Sequence, residues 1–104
     1  MTLKLSQGAE DDAAAAVAWY NDQRDELGYE FLDALQRILE TIELVPQRFS
    51  PVDGKNRKRR LRQALMKRFP YRVIYEIQSD LSVLVLAVAH VRRHPDYWRQ
   101  RPSE

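Results

Sequence analysis

Residues 71–90 read YRVIYEIQSDLSVLVLAVAH, and this stretch decides the fold. In its first half Tyr71, Val73, Tyr75 and Ile77 alternate with Arg72, Ile74, Glu76 and Gln78. A period of two sends successive side chains to opposite faces of a strand, and β-branched and aromatic residues suit a pleated surface. In the second half, Leu81 to His90 is apolar at nearly every position, as a central strand covered on both sides must be. Ser79-Asp80 is the polar turn between them. Taken as a two-residue hairpin loop, it sets Tyr75 opposite Leu84, Val73 opposite Leu86 and Tyr71 opposite Val88. These six form the more apolar face, expected to receive the helices. The other face carries Arg72, Ile74, Glu76, Val83, Val85 and Ala87, with Arg93 just past the strand end. An open face with arginine among apolar residues is a candidate binding surface.

Upstream the period changes. Between Gln7 and Glu26, residues Ala9, Ala13, Ala16, Val17 and Tyr20 share one helical face, with Ser6 as the cap and Glu10, Asp11 and Asp12 where the helix dipole favours negative charge. Gly28 interrupts, and a second helix from there to about Val45 presents Phe31, Leu32, Leu35, Leu39 and Ile42 before Pro46 ends it. So short a connection makes the two an antiparallel hairpin, and the alanine face lets their axes approach closely. Leu3 to Leu5 is a candidate edge strand. Residues 46–57 hold two prolines and a glycine and read as a loop, Arg59 to Leu65 as a further strand, and Pro95 as the start of a short C-terminal helix through Tyr97 and Trp98. The fold class expected is α+β: one domain over residues 1–104, a small antiparallel sheet with a two-helix hairpin on one face.

Composition narrows the function. Cysteine is absent, which removes disulfides and thiolate metal sites. The start, MTLKLSQGAEDD, lacks the apolar run of a signal peptide and no segment has the length of a membrane span, so a cytoplasmic protein without membrane contact is expected. Charge is unevenly distributed. Residues 1–54 carry four Lys/Arg against eleven Asp/Glu, and residues 55–104 carry thirteen against four. A basic half suits a phosphate-rich or acidic partner, while the plainer reading has the two halves facing each other.

Individual motifs are weighed in the same way. The run KNRKRRLR from Lys55 to Arg62 suits RNA, DNA or an acidic protein, and equally a solvated loop and edge strand whose charge discourages sheet-to-sheet association. His90 and His94 are four apart, but they straddle a strand end before Pro95, which is the wrong geometry for a metal; no metal and no cofactor is expected. A histidine here as general acid or base in phosphodiester cleavage stands beside its role as a polar strand end. Trp19, Tyr20 and Tyr29 read as helix packing. Tyr97 and Trp98 lie among Arg92, Arg93, Arg99 and Arg101, a mixture that stacks bases and neutralises phosphates. Trp98 reads as an anchor for the C-terminus, and Tyr97 stays open between the two roles.

Several of these pieces, in this order, resemble the RelE/ParE superfamily of toxins from type II toxin–antitoxin systems. They are Trp19-Tyr20, Gly28-Tyr29-Glu30-Phe31-Leu32, Arg68 through Phe69-Pro70-Tyr71-Arg72-Val73-Ile74-Tyr75-Glu76, Val85-Leu86-Ala87-Val88-Ala89-His90, and Arg92-Arg93-His94-Pro95 with Trp98 close behind. The resemblance covers nearly the whole chain. It implies a growth inhibitor held by a cognate antitoxin that also sets the oligomeric state, as in plasmid stabilisation modules of bacteria, and one of two activities. RelE-like members cut mRNA on the ribosome without metal; for that activity Arg72, Arg93 and Tyr97 match the family's pattern, with His90 or His94 as proton carrier. Val91 stands where a further arginine is expected, and valine cannot stabilise a developing phosphorane charge. ParE-like members poison DNA gyrase and are not nucleases. Phe69-Pro70-Tyr71 and Val91 favour the ParE-like reading, in which Arg60, Arg62, Arg72, Arg92, Arg93 and Trp98 are the candidate contacts to target or antitoxin. A member that keeps antitoxin binding but has lost toxicity is the remaining alternative.

Overall fold

Ser6 shows how the chain begins its first turn. Its hydroxyl oxygen accepts a hydrogen bond from the Ala9 N–H at 3.1 Å and donates to the Leu86 carbonyl at 3.2 Å, so one side chain caps a helix and ties it to the sheet. The computed structural model describes residues 2–52 and 59–103. Along them run β1 (Leu3–Leu5), α1 (Gln7–Gln23), α2 (Leu27–Leu44), β2 (Ser50–Pro51), β3 (Leu61–Leu65), β4 (Tyr71–Ile77), β5 (Val83–His90) and α3 (Asp96–Arg99). The sheet order is β1-β5-β4-β3-β2. β2 to β5 form an antiparallel meander, and β1 joins β5 in parallel, which makes the sheet mixed where an antiparallel one was expected. A parallel partner requires a crossover, and the helix hairpin supplies it. Lys55, Asn56, Arg57 and Lys58 of the basic run lie outside the described residues.

The hairpin depends on a close approach. Gly28 sits where a Cβ would run into the Val17 carbonyl and the Asn21 side chain, and its N–H donates to Asn21 Oδ1 at 2.7 Å. Glu26, with φ of 67°, turns the chain in the left-handed region just before α2. Ala9, Ala13, Ala16 and Tyr20 of α1 and Phe31, Leu35 and Ile42 of α2 are buried and Val17 and Leu39 partly so, as the sequence spacing predicts, whereas Leu32, expected on the same face, is exposed.

Strand register is where expectation and structure part. The β4–β5 loop holds three residues, Ser79, Asp80 and Leu81, closed by hydrogen bonds between Gln78 and Ser82 and completed by Leu81 at φ of 70°. That left-handed position ordinarily calls for glycine, so leucine gives no warning of it. One added residue reverses which side of β5 faces the helices. Val83 and Val85 therefore join Val73, Tyr75 and Ile77 under the helix hairpin, with Leu35, Leu39 and Val17. Leu84 and Leu86, expected there, lie in a second cluster on the opposite face. An irregularity between Ile74/Tyr75 of β4, opposite Leu86, shifts the pairing again, so that Val88 returns to the helix side across from Val73.

The opposite face is not open. Trp98, 1% exposed, lies against Ile74, Leu84, Leu86, Ala87 and Ala89, with Val52, Leu61 and Tyr97 around it. The segment that carries it is stitched down: Arg59 Nη1 donates to the Arg99 and Arg101 carbonyls, Gln78 to the Ser103 carbonyl, and Ser103 Oγ to Glu76 Oε2. Two hydrophobic layers thus share one sheet. Truncating Leu86 to alanine removes fully buried atoms from the second layer and should cost about 2–5 kcal/mol through transfer and cavity terms. Urea denaturation followed by tryptophan emission will measure it, and the mutant's native emission should shift because Trp98 shares that layer.

Candidate partner-binding groove

After Val85, β5 has no strand on its outer side, because β1 pairs only with Val83 to Val85. Side chains take over the edge. Asp12 Oδ2 accepts the Val88 N–H at 3.0 Å, and Arg101 Nη1 donates to the Leu86 carbonyl at 3.0 Å. The two also bind each other in two-pronged fashion, at 2.8 and 3.1 Å. Gly8 leaves room for this, since a Cβ there would meet the Arg101 guanidinium at 2.8 Å.

Along this edge a groove of about 610 Å³ opens between α1 and the end of β5. Trp19, Tyr71, His90, Arg93, Tyr97 and Asp11 lie around it. Trp19 is 56% exposed and stands edge-on to Tyr20, with ring centres 5.0 Å apart. Tyr71 meets the His90 ring edge-on at 5.2 Å. The Arg93 guanidinium lies 3.5 Å over the Tyr97 ring, a tight cation–π stack, with Arg101 5.0 Å from the same ring. Burial, reinforced by the charge of Asp12, pushes the Tyr97 phenol up to about 12 against the opposing pull of Arg93 and Arg101. Burial raises the Tyr71 phenol as well.

The residues singled out from sequence are distributed as follows. His90, Arg93 and Tyr97 meet in this groove. Arg72 projects from the other face of β4, where its Nη1 donates to Gln63 Oε1 at 3.0 Å. His90 Nδ1 accepts the Arg92 N–H, and His94 Nδ1 accepts the Asp96 N–H, so both histidines are local turn acceptors on that nitrogen. Among the described residues no group of three or more potential metal ligands occurs. Arg62 Nη1 donates to the Phe49 carbonyl at 2.6 Å; Arg60 and Arg92 are exposed. Trp98 is core and offers no surface to a partner. Val91 is partly solvent-facing, with its N–H on the Pro70 carbonyl. Trp19 and Asp12 were read as packing and helix-dipole residues. Asp12 reaches this edge through contacts 76 and 89 positions away along the chain, and Trp19 through the placement of α1 beside the end of β5, and no local signal points to either.

The order strand, helix hairpin, meander and C-terminal strap makes this a small α+β fold with a helix hairpin on one face of a mixed sheet. The family model described as "ParE toxin of type II toxin-antitoxin system, parDE" matches residues 3–95, and the chain belongs to that family. A solved structure titled "Chromosomal ParDE TA system from P. aeruginosa" aligns with a TM-score of 0.75 at 15% identity, covering 88% of this chain and 97% of that one. At that identity the likeness concerns the fold. No curated protein matches the chain in sequence. No helix among the described residues is long and apolar enough to cross a membrane.

The tyrosines give a signed pH prediction. Tyr75, whose hydroxyl donates to the Pro46 carbonyl, is also pushed up to about 12 by burial. Both phenols hold their protons more tightly folded than unfolded, so the stability they contribute is complete below pH ~10 and is lost as pH rises through ~12. Denaturation midpoints should fall across that window. The slope should lessen in Tyr97→Phe; an unchanged slope in that variant would mean the ring titrates as if in water.

Proposed function

We propose that this chain is the toxin component of a type II toxin–antitoxin module, bound and silenced by an antitoxin, and that it stops growth by engaging DNA gyrase without cutting mRNA. Family membership supports the first part. The observation that carries the second is the placement of Arg72. Metal-free cleavage requires a proton acceptor for the ribose 2′-hydroxyl and fixed positive charge beside one phosphate. Arg72 is engaged with Gln63 on one face of the sheet, while His90 lies on the other face beside Tyr71. Val91 adds no cation between them, and the high proton affinity of Tyr97 disfavours it as a base at neutral pH. Such a set lacks the convergence that in-line phosphoryl chemistry demands.

The antitoxin is the product of the neighbouring reading frame, short and acidic or amphipathic. Its acidic side chains suit Arg92 and Arg93 at the turn after β5 and, at the opposite end of the strands, Arg60. Controlled expression separates the readings. We expect plasmid supercoiling or replication to fail while ribosome-bound transcripts remain largely uncut by primer extension. Discrete new 5′ ends that vanish in an Arg72→Ala, Tyr97→Phe double mutant would establish the nuclease instead.

A further inference from the structure

We propose that the groove between α1 and the end of β5 is the seat of one short antitoxin segment, presenting an apolar or aromatic side chain next to a carboxylate. The inference rests on the toxin–antitoxin reading above and assigns it a place.

Arg93 carries the argument. Its guanidinium is stacked flat on Tyr97, and no carboxylate or carbonyl among the described residues takes its side-chain N–H groups. The contrast with Arg101 is direct: the same ring, but a guanidinium that gives three hydrogen bonds to Asp12 and the Leu86 carbonyl. A planar cation held rigid by a ring, with its donor edge free, is already organised for a carboxylate. Beside it the floor is apolar, with Ala15, Ala16 and Val88, and the exposed Trp19 forms a wall. Tryptophan, tyrosine and arginine around a desolvated pocket are the residues that carry binding energy at protein interfaces. A volume of about 610 Å³ holds a few side chains, which fits one helical turn or a short extended segment better than a globular surface.

Charge disfavours nucleic acid as the occupant. Asp11 stands at the groove, and residues 7–44 hold ten Asp/Glu against two Arg. A phosphate chain following the groove would run along that acidic helix hairpin, whereas a single carboxylate on a peptide meets Arg93 and leaves the rest of the segment neutral or basic toward Asp11.

The test uses the full-length chain and the full-length product of the adjacent reading frame, with affinity measured by titration calorimetry. Wild type is compared with Arg93→Glu, Trp19→Ala and, as a control of equal charge change, Arg37→Glu on the outer side of α2. We expect Arg93→Glu to weaken binding by about 30-fold or more and Trp19→Ala by about 10-fold or more, with the control near wild type. Arg93→Glu loses the stack on the Tyr97 ring, so its melting temperature should fall by a few degrees at most while the protein stays folded, as the variant's own thermal scan will show. An independent measurement on the unaltered protein is iodide quenching, which reports Trp19 since Trp98 is buried; quenching should fall when the complex forms. Unchanged quenching, or affinities within twofold of wild type for both groove variants, overturns the groove assignment alone. Absence of any complex with wild type overturns the toxin–antitoxin reading itself. Loss of growth inhibition with antitoxin affinity intact would give the groove to the cellular target, and an oligonucleotide bound by wild type but not by Arg93→Glu would give it to nucleic acid. Either result refutes the inference.

Discussion

Strand β5 runs through the middle of the molecule, yet its outer edge is covered by a partner strand only as far as Val85. Beyond that point the Leu86 carbonyl and the Val88 N–H face neither strand nor water freely, and buried backbone groups of this kind must be satisfied. Ser6, Asp12 and Arg101 do so, the first two from the start of α1 and the third from the far end of the chain. Ser6 begins α1, Asp12 lies one turn further in, and Arg101 belongs to the C-terminal strap. The helix layer, the sheet and the strap are therefore held at one edge of one strand. The Asp12–Arg101 pair is largely desolvated, with side-chain exposures of 8% and 22%, and it keeps its value because both partners are also bonded to backbone. Removing either alone would leave a buried charge unpaired, which is the costly case for ion pairs.

How much of this was legible in the sequence follows from the range of each interaction. The two helices were readable because their apolar stripes are local and periodic, and Gly28 marked their junction through a steric demand within a few residues of helix. Strands β4 and β5 were readable as strands for the same reason. Their register was not, because it depends on one loop residue, and the residue at the left-handed position is Leu81 where glycine would have announced the turn. The displacement at Leu86 is similarly silent, since every residue from Val83 to Ala89 is apolar and either face would accept it. Parity was thus correct for Tyr71, Val73, Tyr75 and Val88 and reversed for Leu84 and Leu86. The short β2 has two residues, one of them proline, and leaves no pattern to read. Of the site, His90, Arg93 and Tyr97 were visible as a cluster near the C-terminal end, whereas Asp12 enters through contacts spanning most of the chain and Trp19 through the placement of α1 beside the end of β5.

The second hydrophobic layer changes what the arginines mean. Had the face with Arg72 and Ile74 been open, its cations would have formed one surface. With Trp98 and the strap laid across it, Arg59 is drawn inward to Glu76 and to two carbonyls, and Arg72 to Gln63. Arg59 thereby stabilises the strap and Arg72 ties β4 to β3, and both are poorly placed to meet a partner. Positive charge that remains directed outward includes Arg60 before β3, Lys67 after it, and Arg92 and Arg93 at the turn after β5.

That redistribution also decides between the two readings of the charge asymmetry. If the acidic and basic halves existed to neutralise each other, many ion pairs would join them. Among the described residues two do, Arg68 with Glu30 and Arg101 with Asp12, while Arg24–Glu30, Arg37–Asp33 and Arg59–Glu76 stay within their own halves. Arg68–Glu30 is exposed and adds little stability, and the buried Arg101–Asp12 pair cancels one charge of each half, so most of the separated charge is left to act at a distance. A small domain with an acidic helix layer and a basic sheet edge orients an approaching charged chain before contact. A carboxylate would be guided to the turn at residues 90–93, where the free guanidinium of Arg93 and the exposed Trp19 share one groove, while neutral or basic residues beside it face Asp11 on α1. Long-range field and short-range chemistry then favour the same place, so an encounter guided by charge ends where packing can hold it.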